Sequence, residues 1–296
     1  MRRVAAFFFL LTILAIRAAT QEVGTLTAME GGLRLIRGVM VMEAVEGMRL
    51  RQGDILESSD QGFDQLEFTD GTVVALGPSS RVFLLRCAPG RASSADTPTA
   101  EILLLNGWLK GETKAGAFRY SSPLVGAATL GSTINLHSEQ DVASVFVESG
   151  SVLIGEVNLE TNWKKVDTGK AGQFFSRTAG GAISTSSKPT STFVSSMPQA
   201  FRDTLPSRVS RFSGKSVQPV RQREATFSDL LPWFSIGRPW RMSLVHRFGS
   251  LSGNPAFRAA MEGHLKEFPE WDPVLHPRKN PETSATLNSK SGSDNK

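Results

Sequence analysis

One cysteine and one tyrosine occur in 296 residues. The lone Cys87 excludes an intramolecular disulfide, so no covalent staple supports the fold. It closes an apolar run and reads as a small buried hydrophobe. Four histidines are present, His137, His246, His264 and His276. None stands at metal-ligand spacing with a second His and a carboxylate, which excludes the common zinc motifs. No glycine-rich loop opens a helix to cradle phosphate, and no nucleophile elbow positions a serine. His137 with Ser132 and Asp141 is the nearest thing to a hydrolase triad, and it lacks a positioning motif. The longest apolar run, Val4 to Ile16, falls short of the roughly 20 residues of a membrane-spanning helix.

That run is informative in itself. Met1-Arg2-Arg3 precedes it and Ala18-Ala19-Thr20 follows. A basic start, a short apolar stretch and small residues form a secretory signal peptide over residues 1–19. Arg17 near the cleavage site leaves an uncleaved anchor as the alternative, the one case in which the chain would touch a membrane. Either way, the expected compartment is the periplasm.

The 27 glycines and 18 phenylalanines favour β structure rich in turns. Residues 65–84 show it best. Leu66 and Phe68 alternate with polar residues, Asp70-Gly71 marks a tight turn, and Val73 to Leu76 reads as a buried strand. Gly77-Pro78-Ser79-Ser80 breaks that strand, and Val82-Phe83-Leu84 begins another. Asp70 reads as a turn former, not as an acid or metal ligand. Turn signals recur every eight to twelve residues up to Phe175. This predicts a mainly β fold, a sandwich, jelly roll or short β-solenoid.

At Thr178 the composition changes. Residues 178–196 are rich in Ser, Thr and Gly and read as a linker. Residues 197–277 read as a smaller, mostly helical module. Phe201, Leu205, Val209 and Phe212 are helically spaced, with Pro206 as an interruption. Thr226–Phe234 and Trp240–Phe248 suggest short helices. Asn254 is an N-cap with Pro255 at the first turn. Phe257, Met261, Leu265 and Phe268 make one apolar stripe, Glu262 and Lys266 pair four apart, and Pro269 ends the helix. Residues 278–296 are polar and expected to be disordered.

Charge divides along the same line. Residues 20–196 carry 15 Lys/Arg against 19 Asp/Glu, a balance of −4. Residues 197–296 carry 15 against 9, a balance of +6. A basic C-terminal part suits an anionic envelope component or the acidic first half itself. An exported chain without basic–aromatic clustering does not suit nucleic acid.

The β part resembles the FecR domain family of bacterial periplasmic proteins over residues 24–175. Gly38 to Leu56, with its Gly53-Asp54 turn, is similar to that family's opening segment. Leu66 to Ser80 resembles its most recognisable motif. Leu105-Asn106-Gly107-Trp108-Leu109, Ser122-Pro123-Leu124, Gly131-Ser132-Thr133-Ile134, Val145 to Val152 and Thr168 to Gln173 follow in the family's order. Ser132 and Ile134 depart from its usual Gly-Thr-x-Phe. The resemblance implies an exported FecR-like β-domain, residues 24–177. Well-known members bind a sigma factor through a cytoplasmic segment ahead of the membrane. Here the apolar run begins at Val4, so the resemblance does not carry an anti-sigma role.

The expectation is therefore a non-enzymatic periplasmic binding or sensing module, with no cofactor and no metal. Its expected partner is an envelope protein or a cell-wall glycan. A structural scaffold is the alternative, and a hydrolase comes third. Trp233, Trp240, Arg238, Arg241 and Trp271 cluster in the C-terminal part and are the candidate partner or glycan surface, since aromatics and Arg favour interfaces. The competing reading is that these tryptophans fill a small core or dock the helices on the β-domain.

Overall fold

A computed structural model describes residues 22–87, 98–157, 163–215 and 217–277. The expected signal peptide and polar tail lie outside the described residues. The fold is mainly β, with a small helical C-terminal region.

The chain alternates between two layers. β1 (Glu22–Glu30) lies in the first; β2 (Leu33–Arg37) and β3 (Met40–Glu43) lie in the second. β4 (Arg49–Arg51) returns to the first layer and β5 (Ile55–Ser58) to the second. β6 (Phe63–Phe68) and β7 (Val73–Leu76) form a first-layer hairpin, and β8 (Arg81–Cys87) goes back to the second. β9 (Ala100–Glu112) belongs to both. After it come the hairpins β10 (Ala117–Ser121) with β11 (Val125–Leu130), and β12 (Thr133–Glu139) with β13 (Val142–Ser149). β14 (Ser151–Glu156) with β15 (Lys164–Lys170), and β16 (Phe174–Thr178) with β17 (Ser184–Ser186), complete the alternation. Among the described residues, the pairings between these strands are antiparallel except for β9 with β10, which is parallel.

β9 is where one layer becomes the other. Its first half pairs with β8 and β10, its second half with β7 and β12. The crease falls at Gly107, whose φ is 94°. A β-carbon there would sit 2.6 Å from Cα and Oγ of Ser80, so only glycine fits. Ser80 Oγ donates to the Trp108 carbonyl and accepts from the Trp108 amide, both at 2.9 Å. This satisfies the backbone where the ladder changes partner.

The Asp70-Gly71 signal does make the β6–β7 turn. Gly71 has φ 85°. Asp70 accepts from the Thr72 amide and hydroxyl, and its Oδ2 also accepts from the Gly116 amide in the β9–β10 loop. Its carboxylate is consumed by turn chemistry.

Side chains on the inner faces fill the sandwich. Leu35, Leu56, Val82, Leu84, Ile102 and Leu104 meet Leu66, Val74, Leu76, Leu109, Ile134 and Val145. The outer faces are also covered, which explains why β7 and β9 read as unbroken apolar runs. On the second layer Ile36, Ile55, Phe83 and Leu103 point outward into another core. On the first layer Val73, Ala75, Trp108 and Phe174 do the same.

The C-terminal hundred residues supply both covers. Residues 178–196 are not a free linker: they contain β17 and α1 (Ser191–Ser196), and Phe193 packs on Trp108 and Phe174. The helical spacing from Phe201 to Phe212 yields only two 3-10 turns, because Pro206 and the anchoring of this strap to the sheet prevent a helix. β18 (Val220–Glu224) then pairs with β3 at the edge of the second layer. Beyond it, α2 (Phe227–Phe234), α3 (Arg238–Phe248), α4 (Pro255–Gly263) and α5 (Asp272–Leu275) cover the outer face of that layer.

α4 starts as expected, with Asn254 Oδ1 accepting from the amides of Ala256 and Phe257. It stops at Gly263, earlier than the apolar stripe implied. Lys266 is thus past the helix, and Glu262 faces Arg258 at 3.7 Å.

Candidate functional site

Four of the five residues proposed as a partner surface, Trp233, Trp240, Trp271 and Arg241, have other work. Trp233 and Trp271 are fully buried and Trp240 is 3% exposed. Phe234 and Phe257 each lie 5.5 Å from Trp271, and Phe83 of β8 lies 6.2 Å from Trp233. The Trp233 indole donates to Glu57 of β5 at 3.1 Å. These tryptophans form the core that docks the helices, as the competing reading held. Arg241 pairs with Glu270 at 2.5 Å and lies over Phe268, so it braces the same core. Arg238 opens α3, and its side chain lies outside the described residues.

The imagined triad does not assemble. Ser132 Oγ donates to the Ser151 carbonyl at 2.7 Å and accepts from the Ser151 amide at 3.1 Å, holding the turn before β14. His137 lies five residues further on, about 16 Å along an extended chain. It stacks on Trp108 with ring centres 4.1 Å apart. Burial lowers its pKa, against the opposing pull of Glu139. Cys87 is buried, and its thiol is pushed up to about 12 by burial and by Asp54, which removes thiolate reactivity.

Two open grooves stand out among the described residues. The first, of about 930 Å³, lies between the outer face of the first layer and the strap. Its floor carries Trp108, His137, Phe174 and Phe193. Its walls are hydroxyl-rich, with Ser138, Ser144 and Ser176 from the sheet and Ser186, Thr190 and Thr192 from the strap. Among the described residues, Glu139 is its one charged lining residue. The second groove, of about 870 Å³, runs beside β2, β5 and the start of α2, and is charged: Arg34, Arg81, Glu57 and Asp229 line it.

The two grooves share Ser79 and Asn106, so they adjoin beside the β9 crease. Two non-glycine residues have positive φ among the described residues, Ser79 at 52° and Gln140 at 35°. Both line this double groove. Backbone strain of this kind persists where surrounding structure fixes it, and it concentrates at binding sites.

The charged groove is firmly held. Thr226 and Asp229 form a capping box at the start of α2. Asp229 also accepts from Arg34 at 2.9 Å and from Arg223 at 2.5 and 3.0 Å. Burial opposes its charge, but the bonds from Arg223 and Thr226 and the nearby Arg34 outweigh this and hold its carboxyl well below the usual range.

No family model matches the chain, and no curated protein matches it. Two crystal structures of a candidate anti-sigma factor from Parabacteroides distasonis ATCC 8503 are similar to part of it. The identity is 15% in both, with TM-scores of 0.36 and 0.35. The similarity covers 45% of this chain and 59% of that one. It is a distant and partial likeness of fold.

The sequence did not reveal the double groove. Its lining residues are scattered from Gly31 to Pro232. The one available signal was Asn106-Gly107-Trp108, a glycine and an aromatic inside a long apolar strand, which marks a close backbone approach.

Proposed function

We propose that this chain is an exported, non-catalytic binding module of the bacterial envelope, and that its double groove takes a glycan strand. The observation that carries this reading is the first groove, with an aromatic floor and walls of neutral hydroxyls. Sugars present apolar ring faces and hydroxyls that both donate and accept, and such a lining matches both. The groove continues past Ser79 and Asn106, which suits a chain-like ligand over a compact one. The signal-peptide pattern and the FecR-like order of β motifs support the envelope setting. An anti-sigma activity is not part of the proposal.

The test is co-sedimentation of the purified chain with peptidoglycan sacculi. Val142 lines the groove and is 42% exposed, so Val142→Arg should fill the groove and leave the fold intact. Wild-type protein should pellet with sacculi and the variant should stay in solution. Failure of wild-type protein to pellet would overturn the glycan reading. So would equal pelleting of the variant. Capture of an envelope protein that Val142→Arg abolishes would instead assign the groove to a protein partner.

A further inference from the structure

A third, smaller cleft has a different character. It measures about 380 Å³ and is lined by Arg37, Gly38, Arg51, Gln52, Gly53, Asp54 and Arg247. It lies where the β2–β3 turn and the turn before β5 meet α3. Three guanidinium groups therefore face one carboxylate.

The charges do not cancel. Arg37 binds Asp54 through two bonds, Nε to Oδ1 at 2.8 Å and Nη2 to Oδ2 at 2.7 Å. That fork uses the whole carboxylate, and Asp54 Oδ2 further accepts from the Arg51 amide at 2.8 Å. Arg51 and Arg247 form no ion pair with a carboxylate among the described residues. Arg247 is fixed by main-chain acceptors, with Nη2 donating to the Ile36 carbonyl at 2.8 Å and Nε to the Gly38 carbonyl at 3.3 Å. Its guanidinium also lies against the Phe248 and Phe83 rings, at 4.6 and 5.6 Å. Among the described residues, Arg247 Nη1 and Arg51 Nε are buried donors with no hydrogen-bond partner.

A buried cationic donor without an acceptor is costly, and an anion drawn into the cleft relieves that cost. We propose that the Arg37–Arg51–Arg247 cleft binds a phosphate-type oxyanion, with Arg51 and Arg247 as its ligands and the Arg37–Asp54 fork as its rigid wall. Arg247 is pre-set by the two carbonyls and the aromatic rings. Arg51, half-buried, closes on the anion. The cleft has room for a phosphoryl group, free or carried on a larger molecule. This site lies apart from the double groove and does not depend on the glycan reading.

The experiment is calorimetric titration of the full chain with inorganic phosphate at constant ionic strength set by chloride. A second arm uses flotation with vesicles of phosphatidylcholine, with and without phosphatidylglycerol. Phosphate binding with a Kd near about 1 mM or tighter is expected. Arg51→Gln should weaken it about tenfold or more, since it removes a charge-assisted contact. Arg221→Gln, an exposed arginine of β18, should leave it unchanged. Circular dichroism melting without phosphate separates a folding defect from a lost ligand. Binding to phosphatidylglycerol vesicles that Arg51→Gln abolishes would identify the phosphoryl group as a lipid headgroup. Binding only of free phosphate would identify a soluble anion. No binding in either arm overturns the proposal, and so does equal weakening by Arg221→Gln.

Discussion

The two outer faces of the sandwich are covered in opposite ways. Over the second layer lies a helical cap, joined to the sheet through an apolar core of Trp233, Phe234, Phe248, Trp271 and their neighbours. Over the first layer lies a strap with little regular structure, whose apolar contacts are few. Buried polar side chains hold it instead. Lys110 is 1% exposed and donates to the carbonyls of Phe201 and Asp203 at 2.8 and 2.9 Å. Glu112 accepts from the Leu205 amide, and Gln65 donates to the Pro206 carbonyl. Glu67 accepts from the Ser207 hydroxyl and the Arg208 amide. Burial raises the Glu67 pKa, but these bonds outweigh it and leave the value lowered. A helix satisfies its own backbone and brings only side chains to the sheet. An irregular strap cannot, so the sheet must supply the partners. This explains why a β-sandwich face carries charged residues in its interior.

The largest effect should come from the cap. Trp271→Ala empties a fully buried aromatic site and should cost about 3–5 kcal/mol in urea unfolding. A cost under about 1 kcal/mol would mean the cap is not integral to the fold. Lys110→Met should come next. It leaves Glu148 without its 2.9 Å partner and two strap carbonyls unpaired, at a cost of about 3 kcal/mol. Its signature should be faster proteolysis between residues 197 and 212, with the cap untouched. Equal exposure of both covers would erase the contrast.

pH should divide the molecule too. Asp64 is buried in the sandwich, and its carboxyl is pushed up to about 7 by desolvation and by Glu30, against the Ser58 hydrogen bond. The native state thus keeps a proton that the unfolded chain releases, so stability falls as pH rises from about 4 to about 7. Asp64→Asn should raise the melting temperature at pH 8 and leave it nearly unchanged at pH 4. Asp229 in the cap acts with the other sign. Its carboxyl is held low, so the stability it gives is present above the ordinary carboxylate range and is lost on acidification. The smallest effect should be that of salt. A nick between residues 178 and 190 should leave the pieces associated even at about 1 M salt, where charges are screened within about 3 Å. Their separation would return the docking to the charge asymmetry of the sequence.

The strands were legible because their turns carry residues that only turns need. Asp70-Gly71, Gly53-Asp54 and Gly150 mark ends that the structure keeps. The strap was not legible. Its Ser/Thr/Gly-rich start has the composition of a free linker, and its anchors, Lys110 and Glu67, lie about ninety to one hundred and forty positions earlier in the chain. The cap tryptophans showed their aromatic weight in the sequence but not their direction. Only packing decides whether such residues face a partner or a core. The grooves escaped for a related reason, since a hydroxyl-lined wall has no spacing that a sequence pattern can capture.

The creased strand β9 also sets an order of assembly. When synthesis has reached residue 99, eight strands exist but β7 and β8 have no neighbour on their outer sides. These are two of the sheet edges open at that stage, each a template for wrong pairing. One strand closes both, and it must be in register in each layer together. A residue inserted on either side of Gly107 would invert inward and outward positions in one layer alone. The chain should therefore tolerate changes of loop length almost anywhere except along these thirteen residues.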